Sequence, residues 1–376
     1  MQVDYLPEHR EFKESVESFV SAQALPLLTQ YDLDARLGTE GAHDLWNALR
    51  NNSPLGDVPR SDKGEIDYLA LGLLLEALAY GNGNLPFMYI AGMHFPASLD
   101  ETLTDEQRVL CKRILTPGHF VAAALSEPGV GSNPTEMRTI ARRDGNSYVI
   151  SGTKLWCSSA DHSDGLMLAC LIEEGDGNKP VMGQLLLDRA VTAYQVNPID
   201  TLGLRSTALC ELVFDDLRAP ATSRITGIFS DRAGMQMILQ RGRLQMAAVS
   251  VGMAQRALDL SLRYAKERSQ FGRMIGGFQL IQEMLAQMYT EVSLARLAMV
   301  QGFRNLTAGV LTPKKEASMA KAYATEAAVR VANLGVQIHG AMGITKEAEI
   351  ESILRNARMM TFPDGTTQIH TLVMGR

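Results

Sequence analysis

The sequence predicts an α+β fold in three consecutive parts: an N-terminal helical domain over 1–118, a middle β-barrel or sandwich over 119–225, and a C-terminal four-helix bundle over 226–376. Three observations carry this. Helical periodicity runs through the first third. Short alternating runs broken by Gly, Asp, Asn and Pro fill the middle, and long unbroken amphipathic stretches fill the end. At 376 residues the chain can bury cores of this kind. Hydrophobic residues at 46% and charged residues at 21% are the mixture of a soluble globular protein. Lys+Arg of 36 against Asp+Glu of 42 leaves −6, which excludes an overall basic field for nucleic acid or anionic lipid.

The helices come first. Pro7 to Leu28 places Phe12, Val16, Phe19 and Val20 on one face, and a second helix is expected from Ala42 to Leu49. Ile66 to Tyr80 is apolar nearly all round, which is the pattern of a buried helix. Gly81-Asn82-Gly83-Asn84 ends it, and the apolar stretch Leu85 to Met93 follows. Thr104 with Gln107 forms a capping box for the next helix, and Pro117-Gly118 closes the helical third.

Strands are expected at Phe120–Leu125, Arg138–Arg143, Leu166–Ile172, Val181–Leu187, Ala193–Val196 and Leu209–Phe214. Asp144-Gly145-Asn146 is a hairpin turn leading into Tyr148-Val149-Ile150. Helical texture returns after Pro220, with long helices at Met235–Lys266, Gln279–Arg304 and Lys314–Ile338, then Ile350–Met360. Long helices joined by short loops make a bundle.

Cys111, Cys157, Cys170 and Cys210 form no C-x-x-C pair and no cluster with histidine, so reduced thiols and no metal site are expected. Met1-Gln2-Val3-Asp4 opens a start without a signal-peptide core, and no run approaches the ~20 apolar residues that span a bilayer. A cytoplasmic protein with no membrane insertion is the expectation.

Five stretches carry chemical potential. Leu125-Ser126-Glu127-Pro128-Gly129-Val130-Gly131-Ser132 follows a strand and offers backbone N–H groups and hydroxyls to a ligand, or else it is a glycine-rich connection. It fits neither a P-loop nor a Rossmann turn, because a strand follows it. Trp156-Cys157-Ser158 sets one of two tryptophans beside a hydroxyl, suited to covering a ring or to filling a core. Arg268-Ser269-Gln270-Phe271-Gly272 suits pyrophosphate and ring recognition, or a solvated helix end. Gln337-Ile338-His339-Gly340 is a close-approach site or a glycine cap. Phe362-Pro363-Asp364-Gly365-Thr366-Thr367-Gln368 fixes one carboxylate at a bend. There it serves as a general base or as the cap of the next helix.

In this order and spacing, within an α–β–α chain, the five stretches resemble the acyl-CoA dehydrogenase family of flavoproteins over about 6–376. The resemblance implies FAD as cofactor, with Leu125 and Ser126 at the flavin pyrimidine edge and Trp156, Cys157 and Ser158 against its ring system. It implies that Arg268, Gln270, Phe271, Gln337 and Gly340 reach the FAD of a neighbouring subunit in a homotetramer or homodimer. Thr366 and Gln368 would hold the phosphate and adenine side. Ser132 and Arg243 would lie along the CoA part of the substrate, with Gly365 beside it. The apolar residues Leu85, Met88 and Ile90 are expected to floor the acyl pocket. The implied reaction removes the α-proton to a carboxylate and the β-hydrogen as hydride to flavin N5, giving a trans-2-enoyl thioester. Electrons would pass to an electron-transferring flavoprotein or a similar acceptor.

One position departs from the family. Asp364 stands where glutamate is usual, and Gly242, beside Arg243, stands where some branches carry the glutamate instead. Asp364 is the remaining carboxylate, with an oxygen set back by about 1.5 Å for the missing methylene. Three readings follow: a dehydrogenase using Asp364 on an atypical acyl-CoA or acyl-carrier thioester, an oxidase or flavin monooxygenase on the same scaffold, or a non-catalytic acyl-CoA-binding partner subunit.

Overall fold

The computed structural model describes residues 5–376 except 52, 101–102, 117, 176, 227–231 and 308–313. The expectations resting on Met1–Asp4 and on Pro117 lie outside the described residues.

The N-terminal helices form where the periodicity placed them. Helix α1 (Pro7–Phe19) runs on through a wider turn at Val20–Ala24 to Leu28, and α2 spans Gly38–Arg50. Helix α3 (Tyr68–Gly81) is buried on every side except at Tyr80, as expected of a helix without a polar face. Asp67 caps it, its carboxylate accepting from the Leu69 and Ala70 N–H groups at 3.0 Å. The apolar stretch after Asn84 is helical over 85–100, and α4 (Asp105–Leu115) begins with the complete Thr104–Gln107 capping box.

The middle part is one seven-stranded sheet: β1 (Val121–Ala124), β2 (Ile140–Asp144), β3 (Ser147–Ser158), β4 (Gly165–Glu173), β5 (Val181–Asp188), β6 (Gln195–Pro198) and β7 (Leu209–Pro220). Strands β1 and β2 pair in succession, parallel, along β4, whereas β5 pairs with it antiparallel. The path continues β2–β3–β7–β6. Leu166 and Leu185 from one arm and Ile150, Leu212 and Phe214 from the other share a single core, so the sheet folds over on itself. Strand β7 outruns its expected end at Phe214. Asp215-Asp216 reads as a stop, but Asp216 enters the left-handed region at φ 47° and takes a 2.8 Å hydrogen bond from Ser151 Oγ. The ladder resumes beyond that irregularity.

The C-terminal part is built on α5 (Arg232–Glu267), α6 (Gln279–Thr307) and α7 (Lys314–His339), with α8 (Glu349–Met359) and α9 (Thr367–Gly375) packed on α7. Helix α5 approaches α3 at Gly252, where any Cβ would run into the Glu76 carbonyl. The core of the N-terminal helices therefore continues into α5 and α6 through Leu244, Ala248, Met299 and Phe303.

Candidate active site

Between the sheet and the last helices lies a cavity of about 1220 Å³. One wall is the bend after α8. Asp364 sits there at φ 54°, a left-handed conformation that costs a non-glycine residue energy and marks a site where surrounding structure imposes it. The carboxylate does not cap α9. Thr366 does, its hydroxyl accepting from the Ile369 N–H at 3.4 Å. The Asp364 side chain is thus released from the simpler of its two sequence roles. It lies over Gly242 of α5, where a Cβ would stand 2.5 Å from Oδ2 and 2.8 Å from Cγ. No residue but glycine leaves the carboxylate in this place.

Asp364 opens on the cavity but is deep in protein on its other sides. Burial pushes its proton affinity up to about 6, against the pull of Lys321 and Arg243. Arg243 also lines the cavity. Its Nε donates to the Asp364 carbonyl at 3.4 Å and its Nη1 to Ser318 Oγ at 3.3 Å. Lys321, fully buried on α7, donates to the carbonyls of Thr361 (3.0 Å) and Gly365 (2.7 Å) on either side of the bend.

The facing wall is the middle sheet. Strand β3 loses register with β7 between Lys154 and Cys157, and within that irregularity Trp156 takes φ 63°. The alternation of faces is broken there. Trp156 turns out with 54% of its surface exposed, while Lys154 and Cys157 are both buried. Leu125, Ser126, Trp156, Ser158 and Ser132 all line the cavity, and Gly365 and Thr366 complete the opposite side. The loop and the strand are tied by Leu155 N–H to the Ser126 carbonyl at 2.9 Å. Below them Lys154 Nζ donates to the Leu125 carbonyl and to Glu127 Oε1, each at 2.9 Å.

The structure places several of the expected side chains away from the Asp364 cavity. The Cys157 side chain does not face the cavity: it lies in the sheet core and donates to the Ala123 carbonyl at 3.1 Å. Gln368 is exposed on α9, and it does not line the cavity with Thr366. Leu85 and Met88 are buried in the N-terminal core, and Ile90 packs against it. From that stretch only Phe87 reaches the cavity, the others packing into or against the helical core.

Arg268, Gln270, Phe271 and Gly340 gather elsewhere, in a second cleft of about 950 Å³ formed by the hairpin after α5 and the end of α7. Gln337 is exposed nearby without lining it. Phe271 is 94% exposed, so this cleft presents an aromatic ring to solvent. Sequence reasoning missed Lys154 and Lys321. Each is a lysine among small or apolar neighbours (Gly152-Thr153-Lys154-Leu155, Met319-Ala320-Lys321-Ala322), and that was the available signal. Among the described residues no His/Cys/Asp/Glu group could hold a metal ion, and no helix is long and apolar enough to cross a membrane.

The donor set is that of a site for a planar ring system beside an acid–base group. It combines an exposed indole held in a strained conformation, serine hydroxyls at the sheet edge and one carboxylate of raised proton affinity. Comparison with known proteins agrees. Residues 122–217 match "Acyl-CoA dehydrogenase, middle domain" and residues 232–376 match "Acyl-CoA dehydrogenase, C-terminal domain". The chain is 34% identical to the probable acyl-CoA dehydrogenase YngJ of Bacillus subtilis over 379 residues, covering 100% of this chain and 99% of that one. It is 30% identical to the short-chain specific acyl-CoA dehydrogenase, mitochondrial, of Bos taurus, over 98% of this chain and 90% of that one. The crystal structure of glutaryl-CoA dehydrogenase from Mycobacterium smegmatis matches with a TM-score of 0.85 and 26% identity, over 99% of this chain and 94% of that one. With both domain descriptions matched and a full-length relative above 30% identity, the chain belongs to the acyl-CoA dehydrogenase family of flavoprotein oxidoreductases.

Proposed function

We propose that this enzyme dehydrogenates an acyl thioester between its α and β carbons, with Asp364 taking the α-proton. The observation that carries the reading is the position of Asp364. It is a carboxylate on a strained bend, free of capping duty, seated over Gly242 and facing the cavity opposite Trp156. FAD fits the facing wall: the outward indole of Trp156 would cover its ring system, and the Ser126 and Ser158 hydroxyls and the Leu125 main chain would meet its polar edge. FAD, when bound, supplies the two-electron acceptor for the β-hydrogen.

The chain's own residues supply the rest. An α-proton beside a thioester is too weakly acidic for an ordinary surface carboxylate. Burial already lifts Asp364 to about 6, and substrate filling the cavity removes water from its open side and lifts it further. The Asp364 main-chain N–H is the group we assign to the thioester carbonyl, where it would stabilise developing negative charge. Arg243 and Ser132 lie along the same cavity and suit the phosphate-bearing arm of coenzyme A. The carboxylate's setback and the glycine beneath it favour an acyl group shaped to meet a shorter base.

The second cleft supports a homo-oligomer. Arg268, Gln270 and Phe271 stand away from the Asp364 cavity on an exposed hairpin, suited to complete the FAD site of a neighbouring copy in a dimer or tetramer. An electron-transferring flavoprotein or a similar acceptor would reoxidise the cofactor. The division into 1–118, 119–225 and 226–376 is part of the same reading. The experiment is purification followed by anaerobic addition of a panel of acyl-CoAs. Yellow protein whose flavin band bleaches with one acyl class supports the proposal, and colourless protein that takes up no added FAD contradicts it.

A further inference from the structure

Lys321 is fully buried on α7, and burial lowers its proton affinity to about 8, so it still carries its charge at neutral pH. A buried ammonium is costly unless paired, and an unbranched apolar side chain would suit this face of the helix better. It donates to the carbonyls of Thr361 and Gly365, which flank Phe362-Pro363-Asp364. The bend between them holds Asp364 at φ 54°. One side chain therefore ties both ends of the strained turn and leaves its positive charge beside the carboxylate.

We propose that Lys321 is the positioning residue of the proton-accepting bend, holding Asp364 in its left-handed conformation and setting a positive charge beside its carboxylate. The inference rests on the reading of Asp364 as base. The other charged and titratable groups around Asp364 do not duplicate the role. Arg243 from α5 is directed to the Asp364 main chain and to Ser318. Glu326 from α7 accepts from Thr367 Oγ1 at 2.6 Å. His370 from α9 is buried and held neutral, its proton affinity lowered to about 3 chiefly by burial. Arg358 from α8 donates to Thr361 Oγ1 at 3.2 Å, and Lys315 and Arg376 line the cavity.

The test is a direct titration of the Asp364 carboxyl in FAD-loaded protein by carbon-13 NMR, with the signal assigned by its loss in Asp364→Asn. Lys321→Gln keeps a donor and removes the charge, and Lys321→Met removes both. Each is expected to move the midpoint upward by about one pH unit or more, the size of an opposite charge within contact range. The acid limb of flavin reduction by substrate should move with it. A lysine that only fills space would leave the midpoint where it is. An unmoved midpoint in Lys321→Gln overturns the proposal even if Lys321→Met fails to fold. Failure of the underlying reading shows separately: Asp364→Asn would then reduce flavin at the wild-type rate, whatever the titration does.

Discussion

Among the described residues two lysines lie fully buried, one beneath each wall of the cavity, and their partners differ. Under the sheet wall Lys154 meets a carboxylate. Burial works against Glu127 as an anion, but hydrogen bonds from Lys154 and Thr139 outweigh it and hold its proton affinity below the usual range. Glu127 in turn accepts from the Arg138 and Thr139 N–H groups at 2.8 and 2.9 Å. Charge is cancelled on the spot, and the pair fastens the Leu125-Ser126 loop. Under the bend Lys321 donates to two carbonyls, and its positive charge pulls on Asp364. On the proposed reading the same residue type gives a static clamp on the side that would bind a ring and an electrostatic bias on the side that would move a proton.

Breaking each wall should give a different loss. Lys154→Met strands a buried Glu127 and is expected to cost about 3–5 kcal/mol of stability, the penalty of an unpaired buried charge. Chemical denaturation reads it, and Lys154→Met/Glu127→Gln, which removes the stranded charge and keeps an acceptor for the Arg138 and Thr139 N–H groups, should recover part of it. The titration of Asp364 should not move, and a moved midpoint would mean that the two walls are not separable.

Gly242→Ala sharpens the other side. Its Cβ would lie 2.5 Å from Asp364 Oδ2, so the carboxylate or α5 must shift. A displacement on the order of 1 Å costs roughly a hundredfold in rate. Stopped-flow flavin reduction should show that loss while FAD content and denaturation midpoint stay close to wild type. An undiminished rate would show that the carboxylate works from elsewhere.

The elements were legible because periodicity and capping are local. The all-apolar α3, the Thr104–Gln107 box and the three long C-terminal helices each follow from neighbours in sequence. The ends of β7 and the direction of Cys157 were not. Both depend on irregularities in pairing between β3 and β7, set by contacts such as Ser151 to Asp216 that lie 65 positions apart. The residues at the cavity were legible as short motifs whose order resembles one family. Their supports were not, since Lys321 reaches the bend across 40 and 44 positions and Gly242 meets Asp364 only through folding. The floor expected from Leu85, Met88 and Ile90 failed for the same reason: which face of that helical stretch meets the cavity is decided by what it packs against.

The central claim is that Asp364 is the base. The most direct measurement is the rate of flavin reduction in Asp364→Asn, mixed anaerobically with the acyl thioester that best bleaches the wild type. The amide keeps the shape of the bend, so FAD and thioester should bind as before. The rate should fall by at least about 10²–10⁴-fold, the contribution of general-base catalysis. At subsaturating thioester the wild-type rate, by contrast, should rise as pH passes through about 6, the value of the substrate-free carboxyl, because the carboxylate and not the acid is the working form. An Asp364→Asn protein that reduces its flavin at the wild-type rate, with the same pH dependence, would contradict the account.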